Sequence, residues 1–553
     1  MFSSLRGRPG LRWIVLGGVL LLAAAGAATA VVMTNRPGDV SNPDVEFTEE
    51  QQQPAEPPAA PEPDSEPDSA HTLDDGFAWP VYGYTKDRRS WLPMDAPLRP
   101  PFVQQWAMTG RILLEFTPVL CGRSVFLTKN NGALYAVSRL SGRVRWKRKL
   151  GYLAASAPAC GHNTVYTVVL QRGKGIRAGR VIAVDARTGR TRWSRRIRSR
   201  VESSPLLDGG RLYFGSEDGT VYAMRAGDGA VRWRYRASGA VKGGLALDRG
   251  RLYFGDYGGN VHAIRQRDGS RIWRTSSAGS ALGLRAGRFY ATPAVAYGRV
   301  YIGSLDGFVY SLAASSGRLA WRHKTGAFVY SSAAVASVDG VGPTVYVGSY
   351  DGRLYAFDAR SGRVRWAHRA GGKISGGATV VGDLVFYSNL SARSSGAVGA
   401  RTGKLVWRTA RGAFNPVISD GRRLYLNGYS SLFMLSTPAQ ARRDSRVRLR
   451  DPVERRKAIN RRLARAERAR KRKVARRVAV RKRKLARRVA ARKHELRRNA
   501  AARRAGRKVC FTRNGRKTCR VPRPLVCVKR ADDRTVCRPR EGRARRTNGR
   551  GRE

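Results

Sequence analysis

A motif of about eleven residues recurs seven times between residues 136 and 407, and few folds can accommodate such a repeat. Its clearest copy runs from Ala183 through Gly189 to Trp193. Each copy opens on a small residue, carries a glycine four positions before its end and closes on a tryptophan. The pairs are Gly142/Trp146, Gly189/Trp193, Gly229/Trp233, Gly269/Trp273, Gly317/Trp321, Gly362/Trp366 and Gly403/Trp407, with successive tryptophans 47, 40, 40, 48, 45 and 41 positions apart. A period of roughly 40 to 50 residues is the signature of propellers and solenoids.

Within one period every segment has strand character. In 292–321, apolar runs at 300–303, 308–312 and 318–321 are separated by the turn pairs Asp306-Gly307 and Ser316-Gly317. The turn between the second and third strands recurs as Asn131-Gly132, Asp218-Gly219, Gly258-Gly259 and Asp351-Gly352, residues that tolerate positive φ. Four short strands per repeat make one propeller blade. Residues 414–437 supply three more strand-like runs without a closing tryptophan, while Trp106 stands alone 40 residues before Trp146. The expected fold is therefore all-β: an eight-bladed β-propeller of four-stranded antiparallel blades, its last blade completed by the strand around Trp106. A closed ring leaves no free sheet edge. Seven blades, with 101–109 unpaired, is the alternative count.

The pattern Ala-x-x-x-x-[Ser/Thr/Asp]-Gly-x-x-x-Trp, with Ala at 136, 183, 223, 263, 356 and 397 and Ser311 in the remaining copy, resembles the tryptophan-docking motif of the pyrroloquinoline-quinone (PQQ) repeat β-propeller family over about 101–437. The resemblance implies that each tryptophan packs between neighbouring blades. It also implies one of two functions, because the family holds both quinone enzymes and non-catalytic scaffolds. The enzymes bind PQQ over the axis, beside Ca²⁺ and against a disulfide of adjacent cysteines. No two cysteines are adjacent here, and Glu202, the clearest ligand-type acid, makes no site alone. The expectation is no catalytic residue, no PQQ or calcium site and no metal site. The alternative is a PQQ- and Ca²⁺-dependent dehydrogenase. The non-catalytic branch, which includes the propeller lipoprotein of the outer-membrane assembly machinery, implies a protein-binding scaffold.

The remaining chain is organised by charge. The formal net charge is +67 over 553 residues, which speaks to partners rather than fold. Residues 1–12 carry Arg6, Arg8 and Arg12, and 13–33 are then free of charge, long enough to span a bilayer as a transmembrane helix. Arginine before and acid after place the N-terminus in the cytoplasm and the propeller outside. The segment is read as a signal-anchor of the cell membrane, with a cleaved signal as the alternative because Ala28-Thr29-Ala30 has the look of a cleavage site. Residues 34–78 are acidic and proline-rich. From 37 onward they hold twelve Asp/Glu, eight Pro and no Lys or Arg, and are expected to form a disordered linker holding the propeller (79–440) off the membrane.

Other candidates are weak. The histidines at 71, 162, 262, 323, 368 and 494 have no metal spacing. Gly173 to Gly179 looks like a phosphate loop but falls where a blade hairpin belongs. Cys121 and Cys160 are either bridged or free. The strand closing each motif is rich in cations, as at Arg143, Arg145, Lys147 and Lys149, which either protect an edge or settle the rim on an anionic surface.

From 441 the composition turns to 47 Lys/Arg against 9 Asp/Glu over 113 residues. Asp451, Pro452 and Glu454 mark a helix start. Eleven-residue repeats beginning at Leu463, Val474, Leu485 and Leu496 keep a narrow apolar stripe on one face of a basic α-helix within 441–508, with Gly506 as its stop. Residues 509–553 hold Cys510, Cys519, Cys527 and Cys537, whose spacing around Asn514-Gly515 and Asp532 predicts two hairpin disulfides, 510–519 and 527–537. The tail is expected to bind anionic membrane or cell-wall polymer, nucleic acid being the lesser partner for an extracytoplasmic chain without aromatic residues on this helix. A tail-driven polymer-binding protein, with the propeller as bulk, is a further alternative.

Overall fold

The computed structural model describes residues 38–48, 76–171, 178–277, 287–450, 452–505, 507–513, 515–521, 525–529 and 534–539. Two compact units result, residues 1–451 and 452–553. The apolar run 13–33, the cap Asp451 and the stop Gly506 lie outside the described residues. Among the described residues no helix is long and apolar enough to cross a membrane.

The first unit is a ring of eight antiparallel four-stranded sheets. Blade 4 shows the plan: strands Ala246–Asp248, Arg251–Gly255, Asn260–Arg265 and Arg271–Ser276 follow one another outward as a meander. Blades 1 to 7 occupy 119–149, 159–197, 206–236, 246–276, 294–324, 334–369 and 379–409. Blade 8 takes Val417–Ser419, Arg423–Asn427 and Leu432–Ser436, and its fourth strand is Val103–Met108 from the N-terminal side. That pairing closes the ring as expected for Trp106. The middle strands are buried on both faces, while closing strands such as Val144–Lys149 expose most of their cations.

The repeat works across seams rather than within one copy. The indole of Trp146 donates to the Ala186 carbonyl of the next blade at 2.9 Å. Trp193, Trp233, Trp273, Trp321 and Trp366 do the same to Ala226, Gln266, Ala314, Ala359 and Ala400 at 2.8–3.1 Å. Each indole lies on the motif glycine of the next blade: a Cβ on Gly189 would stand 2.7 Å from the Trp146 ring. Trp106 joins the series, donating to Arg139 at 3.0 Å and covering Gly142. These glycines also take φ between 65° and 78°, where a side chain adds strain. Trp407 departs from the pattern, packing edge-on against Phe102 at 5.6 Å.

Two features differ from the sequence reading. Residues 38–48, expected at the start of a disordered linker, are seated on blade 5, where Val40–Ser41 pairs with its outer strand. The propeller unit also continues past 440 into a separate helix, Pro438–Arg450, whose Asp444 is buried against Arg423 at 2.6 Å. The basic helix proper is Pro452–Arg504. Of the two states open to Cys121 and Cys160, the structure shows the bridge, which joins the first strands of blades 1 and 2.

In the second unit the hairpin Val509–Arg513/Arg516–Arg520 folds back on the end of the long helix. Asn499 bonds both backbone groups of Cys510, at 2.5 and 3.2 Å, and Glu495 accepts from the Thr512 amide at 2.8 Å. Cys510 is bridged to Cys519. Cys527 is disulfide-bonded and stands opposite Cys537 in register.

Candidate functional site

The first strand of each blade uses one edge to pair with its second strand and turns the other toward the axis. Its amides there need acceptors. Residues 79–92, which sequence reasoning passed over, supply them. Trp79 exchanges two hydrogen bonds with Leu120 of blade 1, at 2.8 and 3.0 Å. The carbonyls of Pro80, Lys86, Asp87, Arg89 and Ser90 then accept from Cys160, Leu247, Val295, Val335 and Val380, on blades 2, 4, 5, 6 and 7, at 2.8–2.9 Å. Arg88 reaches blade 3 through the Pro205 carbonyl at 3.4 Å and blade 4 through Leu245 at 2.8 Å. The chain thus plugs its own axial channel.

Arg88 and Arg89 are buried in this plug. Burial pulls the Arg88 guanidinium down to about 9, against the opposing pull of Tyr82 and Asp87. Tyr84, Arg88 and Ser90 take positive φ of 75°, 62° and 51°, conformations that persist only where the surroundings enforce them.

A meander alternates its connections, so the turns between second and third strands share one side of the ring with the loops between blades. On that side lies a chain of rings: Tyr257–Tyr290 at 6.4 Å, Tyr290–Tyr330 at 5.5 Å and Tyr330–Tyr350 at 4.8 Å. Phe328 and Tyr152 there are each 53% exposed. Beside the tyrosines, Lys242 Nζ stands between Glu202 (3.2 Å) and Glu217 (2.9 Å). Arg200 approaches the same carboxylates at 3.4 and 3.5 Å. Burial, then the neighbouring Glu217, pushes the Glu202 carboxyl above its ordinary range. Burial also opposes ionisation of Glu217, but its hydrogen bond to Lys242 prevails and holds it below that range. Burial and, more weakly, Glu202 and Glu115 push the Tyr290 hydroxyl far up.

This arrangement does not fit a calcium-bound quinone. Two carboxylates already share two protein cations, and the ammonium of Lys242 occupies the place between them that a divalent ion would need. Among the described residues no group of three or more His, Cys, Asp or Glu could hold a metal. His262 is a buried strut between Asp256 (2.9 Å) and Tyr235 (3.0 Å). His368 bonds Tyr387 at 3.0 Å, and His323 faces Asp39 at 3.2 Å. His162 lies in a turn of blade 2, and His494 is exposed on the long helix. His71 and residues 172–177 lie outside the described residues; the latter connect two paired strands of blade 2. What the surface offers is aromatic area with a charged border, the chemistry of protein interfaces.

Tryptophan-docked blades in a closed ring of eight define a PQQ-repeat type of propeller. The chain belongs to the PQQ-repeat β-propeller family: the family model described as "Outer membrane protein assembly factor BamB" matches residues 130–280 and 236–443. Solved structures similar to it include BamB from Moraxella catarrhalis (18% identity, 61% of this chain and 99% of that one, TM-score 0.49). A quinohemoprotein alcohol dehydrogenase from Pseudomonas putida aligns at 15% identity over 65% and 80% of the two chains, TM-score 0.54. One from Comamonas testosteroni aligns at 13% over the same shares, TM-score 0.52. The two dehydrogenases share the fold. No curated protein matches the chain.

Proposed function

We propose that this protein is a non-enzymatic, membrane-tethered extracytoplasmic scaffold. Its propeller binds an envelope protein, and its polybasic helix holds an anionic membrane or wall polymer. The observation that carries the reading is the use already made of the axis. Residues 79–92 fill the channel, and Glu202 and Glu217 on the aromatic side are neutralised by Lys242 and Arg200. The family model's description, an assembly factor, fits the same reading.

The test is crosslinked recovery from cell envelopes at high salt, using the full chain and its Phe328→Ser/Tyr330→Ala variant. Tyrosine-centred hot spots typically carry at least ~2 kcal/mol, so recovery of one defined protein should fall more than about tenfold while the melting temperature holds. Unchanged recovery, or a rise in melting temperature on adding PQQ with Ca²⁺, would overturn the scaffold reading.

The helix Pro452–Arg504 supports the second half of the proposal. Its apolar stripe is open to solvent, with Leu463 and Leu485 each 62% exposed, and dense cations flank it. Such a helix lies in a membrane interface with its apolar face buried. Association of the full chain with phosphatidylglycerol vesicles, after removal of residues 1–33, should weaken steeply from about 0.1 M to about 1 M salt, as the Debye length shrinks from ~10 to ~3 Å. Salt-insensitive association would contradict an electrostatic grip.

A further inference from the structure

The seated segment 38–48 decides where the N-terminal part of the chain leaves the propeller. The Gly38 carbonyl accepts from Arg322 Nε at 2.8 Å, and Asp39 Oδ1 accepts from the Lys324 amide at 2.7 Å. Val40 and Ser41 then pair with Arg322 and Trp321. Beyond them, the buried Arg299 donates to the carbonyls of Pro43 (3.4 Å), Val45 and Glu46. Phe47 stacks on Tyr297 at 5.6 Å, and the Thr48 amide donates to the Tyr297 carbonyl at 3.1 Å. These contacts bind the segment along its whole length. A stalk passing by would not make them.

The consequence concerns distance. The acidic stretch after Thr48 does not separate the apolar run from the propeller. It joins two seated points, Thr48 on blade 5 and Phe77, whose carbonyl accepts from Arg139 of blade 1 at 3.5 Å. Only residues 34–37 stand between the apolar run, ending at Met33, and Gly38. Five Cα steps reach at most ~18 Å at ~3.6 Å per residue, and the polar layer of a bilayer leaflet is itself roughly 5–8 Å deep. With residues 13–33 held in a bilayer, that reach would keep the outer edge of blade 5 at the membrane surface. Exposed there are Lys324, with Arg274 on blade 4 and Arg353 and Arg369 on blade 6.

We propose that the rim of blades 4 to 6 is the membrane-facing edge of the propeller and binds anionic phospholipid headgroups, with residues 38–48 as the clamp that keeps it there. This rests on the reading of 13–33 as a retained anchor. The propeller then lies on its edge, so its aromatic side faces along the membrane, toward neighbouring envelope proteins.

The test uses the full chain in vesicles of phosphatidylcholine and phosphatidylglycerol. No cysteine is free among the described residues, so Arg369→Cys and, in a separate preparation, Lys149→Cys can each carry one fluorophore. The two positions end equivalent strands on blades 6 and 1. Nitroxide-headgroup lipid should quench the label at 369 strongly and the label at 149 weakly. Replacing 39–47 by glycine and serine of equal length should remove the difference while the protein stays on the vesicles. The combined Arg274→Gln, Lys324→Gln and Arg353→Gln variant should weaken quenching at 369 in anionic vesicles only. Equal quenching at both positions, with salt-resistant flotation retained, would overturn the inference and leave the anchor standing. Loss of flotation in high salt would overturn the anchor reading and the inference with it.

Discussion

Replacing Asp420 with alanine is expected to destabilise the propeller by about 3–5 kcal/mol, the usual cost of removing one member of a buried ion pair. Asp420 Oδ2 lies 2.9 Å from Arg139 Nη2, with neither side chain exposed, and 3.1 Å from Arg423 Nη1. It also accepts from the Tyr425 hydroxyl at 3.0 Å. Arg423 continues to Asp444 on the helix Pro438–Arg450, so one carboxylate links blade 1, blade 8 and the C-terminal edge of the propeller unit. Its loss takes the carboxylate from the buried Arg139 and leaves Arg423 to Asp444 alone. Asp383→Ala is the contrast, because its pair with Arg99 is 52% and 38% exposed and should be worth about 0–1 kcal/mol. Denaturant midpoints of the two variants measure the difference. Equal shifts would mean that the cluster adds nothing beyond a surface pair.

The same cluster sets a pH dependence. Burial alone would raise the Asp420 carboxyl, but Arg423 and Arg139 outweigh it and hold the group below its ordinary value. A carboxylate depressed in the folded state contributes stability that is present above its unfolded value, ~3.9, and is lost as pH falls toward the folded one. Acid should therefore weaken the wild type and spare Asp420→Asn, narrowing the stability gap between them below about pH 4.

The ring could be read in the sequence because each blade repeats one solution to one packing problem. A glycine that admits an indole and a tryptophan that supplies it recur at a fixed offset, so seven copies and Trp106 sufficed to count blades. The plug and the clamp carry no such periodicity. In 79–92 the work is done by backbone carbonyls, which no side-chain pattern reports, and Arg88-Arg89 reads as surface charge until the axial cavity around it is known. Residues 38–48 have the acidic, proline-containing composition of an unfolded stretch. Their partners, Arg299, Tyr297 and Arg322, lie about 250 or more positions away. Glu202 is legible as an acid, but its neutralisation is not: Glu217 and Lys242 reach it from different connections, which the folding of blade 3 brings to one side.

Trp106→Ala is expected to cost more than truncating the tryptophan that departs from the pattern, Trp407. Seven of the eight seams join blades that are consecutive in the chain, whereas the eighth holds blade 8 to blade 1 across its first and last strands. Trp106 sits at that joint, 7% exposed, against Tyr425 at 6.2 Å and over Gly142. Removing a buried indole costs about 3–5 kcal/mol. Here it also frees Val103–Met108 from Leu432–Ser436 and uncovers a sheet edge whose amides would seek another strand. Trp407 is only half-buried, and Phe102 stands beside it to fill part of the space, so its alanine variant should lose roughly half as much or less. Hydrogen exchange gives the finer test, since local opening exposes amides according to local stability. The Leu432–Ser436 amides should exchange faster in the Trp106 variant before the rest of the ring does, with concentration-dependent association as the edge opens. Global loss of protection in both variants alike would mean that closure is shared evenly around the ring and that Trp106 has no special part in it.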